Sequence, residues 1–125
     1  SKIPNGAGGI EYRMQLLFTY GVLQNKITLT RFVELTATNA AKIFGLFPKK
    51  GIIAVGSDAD IVLWSPHTKS TISLQTQHQH CDSNIYEGIP LTGVPEYVIC
   101  HGKIAFANGK PTNDLSKGSF LSRKA

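Results

Sequence analysis

Histidine side chains that could bind a metal ion are few in this sequence and stand far apart. His78-Gln79-His80 has the spacing at which two imidazoles share one face of an extended strand. No apolar strand pattern flanks it, and no later histidine or carboxylate stands at a matching position, so we interpret it as a surface loop. His67, beside Pro66, and His101, at a predicted turn, stand alone and are expected to be exposed.

Carboxylates and thiols offer no clearer catalytic group. Asp58 and Asp60 follow Gly56-Ser57, a sequence typical of a tight turn, where short acidic side chains accept hydrogen bonds from backbone amides. Cys81 and Cys100 lack the CxxC spacing of metal and redox sites, and both are predicted to be reduced and partly buried. The sequence therefore predicts neither a catalytic residue nor a metal ligand within these 125 residues.

One short segment near the start of the chain could contact a ligand. In Pro4-Asn5-Gly6 the glycine allows the backbone to come close to a flat ring, and the main chain of Asn5 can bond an amide edge. We therefore predict Asn5 and Gly6 as substrate-binding residues. The alternative is that the segment forms a simple turn.

The elements that would carry these residues begin with three predicted helices. Apolar residues at helical spacing indicate a helix over Ile10 to Tyr20, which Gly21 is expected to end. Thr28 is the predicted N-cap of a second helix, and Asn39 is that of a third. Gly45 is predicted to close the third helix in the left-handed conformation.

After Pro48 the pattern changes to short extended runs bounded by Gly, Pro, Asn and Asp, which is typical of strands. The predicted strands are Ile52 to Val55, Asp60 to Trp64, Ser70 to Leu74, Glu96 to His101 and Lys103 to Asn108. The last two should pair as a hairpin, and Gln75 to Gly93 should form a long structured loop. Helices followed by strands predict an α+β fold class.

The composition argues against several classes of function. The net charge is +5, yet the lysines and arginines are spread along the chain, whereas nucleic-acid-binding proteins concentrate them on one face with stacking aromatics. No apolar run approaches the roughly 20 residues of a membrane-spanning helix. The N-terminus also lacks a secretory signal pattern. The sequence thus predicts a cytoplasmic protein without a nucleic-acid or membrane partner.

The predicted elements do not complete a fold by themselves. Amphipathic helices need a sheet or further helices over their apolar faces, and a small set of short strands leaves sheet edges unpaired. We therefore expect this chain to be a fragment whose partner segments lie elsewhere, and we expect it to associate through its uncovered faces when isolated. A free-standing binding module is the least favoured interpretation.

Several sequence runs resemble those of a known enzyme family. Residues 38–51, TNAAKIFGLFPKKG, and residues 56–62, GSDADIV, closely resemble the C-terminal region of dihydropyrimidinases and D-hydantoinases. Pro4-Asn5-Gly6 upstream and Tyr86-Glu87-Gly88 downstream keep the order of that family. Tyr12 departs from it, because the family usually has Asp at this position.

The resemblance implies a division of the chain into three parts. Residues 1–48 would be the C-terminal loop and last helices of a TIM-like (β/α)8 metal-dependent hydrolase barrel. Residues 49–112 would be strands and a long loop of the composite β-sandwich domain. Residues 113–125 would be a C-terminal tail, which in this family crosses to a neighbouring subunit of a homotetramer. The alternative from the sequence alone is a disordered tail.

The same resemblance implies the chemistry of the parent enzyme. In this family two zinc ions, bound by histidines, an aspartate and a carboxylated lysine, activate the water that opens the ring. Those ligands would all precede Ser1, whereas the residue at Asn5 contacts the ring. The chain is thus predicted to be part of a hydrolase that opens dihydropyrimidine, hydantoin or another cyclic ureide, and to be inactive alone.

The alternative is a non-catalytic scaffold like the collapsin response mediator proteins. These proteins are similar to the enzymes in this region but have lost the metal ligands. The barrel strands upstream of this chain would distinguish the two. The short tail and the sequence Phe47-Pro48-Lys49-Lys50-Gly51 favour the enzyme.

Overall fold

The computed structural model describes residues 8–113 and 118–122, in which helices pack on one antiparallel sheet. The helical elements in chain order are α1 (Arg13–Leu17), a π-helical segment (Phe18–Val22), α2 (Leu29–Val33), a second π-helical segment (Glu34–Thr38) and α3 (Asn39–Ile43). None of the helices in these two ranges is long and apolar enough to span a membrane.

Thr28 starts the second helical run, as predicted. Its Oγ1 accepts a hydrogen bond from the N–H of Arg31 at 3.1 Å. Asn39 does not begin a separate helix, because its backbone is itself helical, with φ −68° and ψ −39°. No Gly or Pro interrupts residues 29–43, so nothing in the sequence stops the helix there. Gly45, with φ 67°, then closes it in the left-handed conformation, as predicted.

Gly21 does not end the first helical run, contrary to the prediction. The run begins at Arg13 and passes Gly21 in π-helical form, with the N–H of Leu23 donating to the carbonyl of Phe18 at 3.0 Å. Gly21 is buried, and a Cβ at this position would lie 3.1 Å from Cδ1 of Ile27. The glycine therefore allows the following turn to pack closely against the helix.

Four strands form one sheet in the order β1-β2-β3-β4. They are β1 (Ile61–Thr71), β2 (Pro90–Cys100), β3 (Lys103–Ala107) and β4 (Lys110–Pro111). The predicted hairpin of β2 and β3 is confirmed, with Cys100 opposite Lys103. His101 and Gly102, with φ 50° and 77°, form its turn. The short β4 was not predicted.

Strand β1 unites two of the predicted strands. Pro66 lies between them, and proline cannot donate to a strand ladder. The register of β1 on β2 is irregular between Ser65 and Lys69, and this bulge accommodates the proline. Strand β2 also begins at Pro90, so the end of the predicted loop Gln75 to Gly93 is a strand.

The predicted strand Ile52 to Val55 does not form. This segment is irregular, and the N–H of Ser57 donates to the carbonyl of Ala54 at 3.1 Å in a turn. A strand needs a neighbour to bond, and the sheet of the described residues offers none here. Ile53 is 80% exposed and Val55 is fully exposed, so the apolar side chains of this segment remain uncovered.

Two apolar clusters join the helices to the sheet. The first consists of buried Tyr12, Ile72 and Leu91, with Leu16, Tyr20, Tyr86 and Ile89 packed against them. The second, here called the aromatic cluster, consists of Phe18, Phe32 and Trp64, whose ring centroids lie 5.2 to 6.0 Å apart. Both clusters place the first helical run against strands β1 and β2.

Candidate functional site

The predicted substrate-binding residues, Asn5 and Gly6, lie outside the described residues. The chain that follows them packs against the loop of residues 75–89. A Cβ on Gly9 would lie 3.0 Å from Cε2 of Tyr86, so only glycine allows this approach without a shift of the ring. The position of the chain just after the predicted substrate segment is therefore set by this loop.

Glu11 attaches the same loop to the start of α1. Its carboxylate accepts hydrogen bonds from the backbone N–H of His78 at 2.9 Å and of Gln79 at 3.1 Å. Nδ1 of His78 lies 2.8 Å from Oε1 of Glu11, and Nε2 lies 3.2 Å from the carbonyl oxygen of Gly109. These four residues, here called the Glu11 clamp, join the helical layer, the loop and the turn between β3 and β4.

His78 lies on an exposed loop, as predicted. Its two ring nitrogens face the carboxylate of Glu11 and the carbonyl of Gly109, and its ring packs edge-on against Phe106 at 5.6 Å between centroids. An imidazole with a hydrogen-bond partner at each ring nitrogen holds those two partners at a fixed distance from each other. The contacts therefore give His78 a structural role in the clamp.

A cleft of about 880 Å³ opens beside the clamp. Val98 and Phe106 contribute to its apolar wall, while Glu11 and Tyr12 contribute polar groups. Burial raises the pKa of Tyr12, and the nearby charge of Glu11 raises it further, although a hydrogen bond with Thr76 acts in the opposite direction. The cleft therefore contains a neutral phenol beside a carboxylate that the loop amides already bind.

A second polar cluster surrounds Lys50. Its Nζ lies 2.9 Å from Oδ2 of Asp58 and also contacts Oδ2 of Asp60. Burial acts to lower the pKa of Lys50, but the hydrogen bonds to the two carboxylates outweigh it and raise the pKa. Burial also acts to raise the pKa of Asp60, yet Lys50 and the N–H of His101, at 2.8 Å, lower it. Lys50 and Asp60 are therefore both charged at neutral pH.

The remaining candidate residues lie on the surface or close to it. His67 and His101 are exposed, as predicted. Cys81 and Cys100 are free thiols. The predicted partial burial is confirmed for Cys100 and wrong for Cys81, which is exposed.

Two important residues had no assigned role in the sequence. Glu11 contacts His78, which is 67 positions away, and no local spacing can indicate such a contact. Lys50 contacts Asp60, which is only ten positions away. The opposite charges of Lys50 and the Asp-x-Asp run at residues 58–60 were the signal available for that pair.

The sequence matches the Amidohydrolase family over residues 5–105. Among curated relatives, it is 48% identical over 124 residues to a dihydropyrimidinase of Rattus norvegicus. It is 47% identical over 122 residues to a D-hydantoinase of Ralstonia pickettii. These matches cover 99% and 98% of this chain but only 24% and 26% of the relatives, so the chain spans about a quarter of their length.

Solved hydantoinase structures contain a similar local fold. A D-hydantoinase superposes with a TM-score of 0.84 at 49% identity, covering 87% of this chain and 24% of that one. An L-hydantoinase (dihydropyrimidinase) from Arthrobacter aurescens superposes with a TM-score of 0.82 at 30% identity, covering 86% and 24%. The arrangement of helices and sheet described above therefore occurs within part of these structures.

Proposed function

The chain belongs to the amidohydrolase family, and we propose that it forms the C-terminal region of a hydrolase that opens cyclic amide rings with metal-activated water. The observation that carries this proposal is the identity of 47–48%, over nearly the whole chain, to relatives named dihydropyrimidinase and D-hydantoinase. The substrate class is a dihydropyrimidine, a hydantoin or a similar cyclic ureide.

Within that enzyme, residues 1–48 contribute the last loop and helices of a TIM-like barrel. Residues 49–112 contribute strands and a loop to a β-sandwich, and residues 113–125 form the tail. The order of helices followed by an antiparallel sheet supports this placement. The exposed apolar side chains at the end of α3, Ile43 at 78% and Phe44 at 64%, support burial of the helices against further segments.

The two zinc ions of the proposed enzyme are placed outside this chain. The described residues do not fit a two-metal centre, because His78 is engaged at both ring nitrogens and only one group of three candidate ligand side chains lies close together among these residues. A bound metal pair supplies a hydroxide at neutral pH and polarises the carbonyl of the ring. The residues of this chain serve to bind and orient that ring.

In this proposal the main chain of Asn5 bonds the amide edge of the ring, and Gly6 allows the backbone to approach its face. Two contacts support it, since Gly9 packs on Tyr86 and the Glu11 clamp holds the start of α1. An anchor this close to the proposed substrate segment favours productive orientation of the ring.

The proposed enzyme is a cytoplasmic homotetramer in which the tail docks on a neighbouring subunit. Phe120 supports this role for the tail, because it is 94% exposed and offers an aromatic anchor. The alternative is a scaffold like the collapsin response mediator proteins, without metal or activity. The enzyme names of the relatives favour the hydrolase over the scaffold.

The test compares the 125-residue chain with a longer protein that includes the sequence encoded upstream of residue 1. Zinc content and the turnover of dihydrouracil and hydantoin are measured for both proteins. Turnover in the longer protein alone is the expected result, together with two zinc ions per chain beyond any that the short chain binds. Turnover in the short chain would contradict the placement of the metal ligands. Absence of turnover and of those two additional zinc ions from the longer protein would favour the scaffold.

A glycine substitution in the longer protein tests the substrate segment. Gly6→Ala should raise KM roughly tenfold, or about 1.4 kcal/mol, with zinc content unchanged, because the methyl group holds the ring away from the backbone. Gly56→Ala is the control, since a Cβ there meets nothing within 4 Å and the residue lies outside the segments proposed to bind substrate or a neighbouring subunit. An unchanged KM for Gly6→Ala would show that the segment is a simple turn.

A further inference from the structure

The β2–β3 turn brings together three metal-binding groups that have no role in the proposed function. The carboxylate of Asp60, the thiol of Cys100 and the imidazole of His101 each offer one ligand atom, and these atoms lie within 4.8 Å of one another. Among the residues described, no second group of three His, Cys, Asp or Glu side chains has this proximity. We propose that these three residues, here called the turn site, bind a divalent cation of the zinc class.

The backbone holds the turn site together from two sides. Asp60 immediately precedes β1, and Cys100 is the last residue of β2. The N–H of His101 donates to Oδ1 of Asp60 at 2.8 Å, and the N–H of Gly102 donates to the carbonyl of Ala59 at 3.0 Å. These two hydrogen bonds hold the turn against the residues that precede β1. The backbone at the three ligands is therefore already ordered, and little conformational entropy is lost when a metal binds.

The donor set selects the class of metal. One oxygen, one nitrogen and one sulfur favour Zn²⁺ and its analogues Co²⁺ and Cd²⁺ over Mg²⁺ and Ca²⁺, which prefer oxygen ligands. Bonds of about 2.0–2.3 Å place the ligand atoms of a tetrahedral zinc roughly 3.3–3.8 Å apart. The side chain of His101 is exposed, so its rotation can bring the ligand atoms from within 4.8 Å to these shorter separations. A water molecule completes the coordination, and the thiol of Cys100 releases its proton to solvent as the metal binds.

Lys50 competes with the metal for Asp60. Its Nζ contacts Asp60 and also lies 2.9 Å from Asp58, so the lysine keeps a carboxylate partner when the metal takes Asp60. The ammonium group of Lys50 is therefore not left unpaired when the metal displaces it from Asp60. An unpaired, partly buried charge would make this displacement costly. The two carboxylates and one ammonium group also carry a surplus negative charge, which favours a second cation.

Titration of the full chain with Cd²⁺ alone tests the site, because a cadmium–thiolate bond gives a charge-transfer absorption in the ultraviolet. We expect this absorption to saturate at one Cd²⁺ per chain and to disappear in Cys100→Ser. Cys81→Ser is the matched control, since Cys81 is an exposed free thiol outside the turn site, and it should bind as the wild type does. A signal that persists in Cys100→Ser would overturn the proposal.

Variants of the other two ligands test whether the thiol binds alone. His101→Gln, which changes an exposed side chain, and Asp60→Asn should each weaken Cd²⁺ binding about tenfold or more. Circular dichroism of each variant checks that the fold is retained. Wild-type affinity in both variants would reduce the site to a single thiol and refute it.

Removal of the competing lysine should have the opposite effect. Lys50→Gln frees Asp60, so Cd²⁺ should bind several-fold more tightly, a change that a folding defect would not produce. Unchanged or weaker binding would contradict the competition. Metal affinity is measured without substrate, so these outcomes are independent of whether the proposed hydrolase is active.

Discussion

Gly93 is a residue at which backbone conformation and packing are closely linked. Its φ of 93° lies in the left-handed region that favours glycine, and it is buried in β2. A Cβ there would lie 2.5 Å from Cδ1 of Phe18 and 2.8 Å from Nε1 of Trp64. Neither ring can move freely, because both pack in the aromatic cluster with Phe32. Glycine is therefore needed at this position for two separate reasons.

Gly93→Ala should lower the free energy of unfolding by about 2–4 kcal/mol, since backbone strain and overpacking add. Gly56→Ala provides the control, because Gly56 has a similar φ of 91° but a Cβ there meets nothing within 4 Å. The control should lose only about 1–2 kcal/mol from strain. Urea unfolding of both variants measures the difference, and equal losses would show that contact with the rings is unimportant.

The ion pair of Lys50 and Asp60 makes stability depend on pH. The pKa of Asp60 is lowered below 3.8 in the folded state, so its contribution is present above that pH and is lost as pH falls through the lowered value. The pKa of Lys50 is raised above 10.5, so its contribution is present below that pH and is lost as pH rises through the raised value. The pair therefore stabilises the fold between these two limits.

Asp60→Asn should flatten the acid limb of the stability curve, and at neutral pH it should cost at most about 1 kcal/mol because the pair is partly exposed. Urea unfolding at a series of pH values below neutrality measures this. Asp82→Asn removes another carboxylate, on an exposed loop, and serves as the control. If the two variants and the wild type lose stability equally on acidification, the ion pair does not set the pH dependence.

Among the elements, the loop of residues 75–89 depends most on contacts with other segments. Oε2 of Glu87 accepts the N–H of Leu74 at 2.7 Å, which ties the end of the loop to the residue just before its start. The Glu11 clamp binds the middle of the loop through the N–H groups of His78 and Gln79. The carboxylate of Glu11 thus adds a polar restraint on the loop to the packing of Tyr86 against the apolar cluster around Tyr12.

Glu11→Gln should increase hydrogen exchange at the amides of His78 and Gln79 roughly 10- to 100-fold, because a hydrogen bond to a charged group contributes about 1.5–3 kcal/mol. Glu34→Gln is the control, since Glu34 pairs with Arg31 at 2.9 Å on an exposed helical face, away from the loop. Mass-resolved exchange of both variants provides the measurement. Equal exchange in the loop of the two variants would show that Glu11 does not restrain it.

Local signals were enough to predict some elements and not others. The cap at Thr28, the left-handed Gly45 and the hairpin turn at His101 each depend on residues within one turn, and all three are confirmed. The bulge that accommodates Pro66 in β1 depends on pairing with β2, about 30 residues away. The same applies to the Glu11 clamp. Contacts between distant segments determine these features, and the spacing of residues in a single sequence does not specify them.

At the scale of the whole molecule, one side of the helical layer has no cover in the described part of the chain. Ile43, Phe44 and Ile53 are each more than 60% exposed, near the end of the second helical run and in the segment before β1. Large apolar side chains that are this exposed are expected to be covered by another segment or partner. This is what the proposed enzyme requires, because the chain spans only about a quarter of its relatives and its helices would pack against the remaining segments.

The aromatic cluster gives the molecule an optical property. Trp64 is the only tryptophan of the sequence. Its ring in β1 lies 5.2 Å from that of Phe18 and 6.0 Å from that of Phe32, both in the helical layer. All indole emission therefore comes from the junction between helices and sheet. Separation of the two layers would expose the indole to water and shift its emission to longer wavelength, so the intrinsic fluorescence of the chain reports the docking of its layers without an added dye.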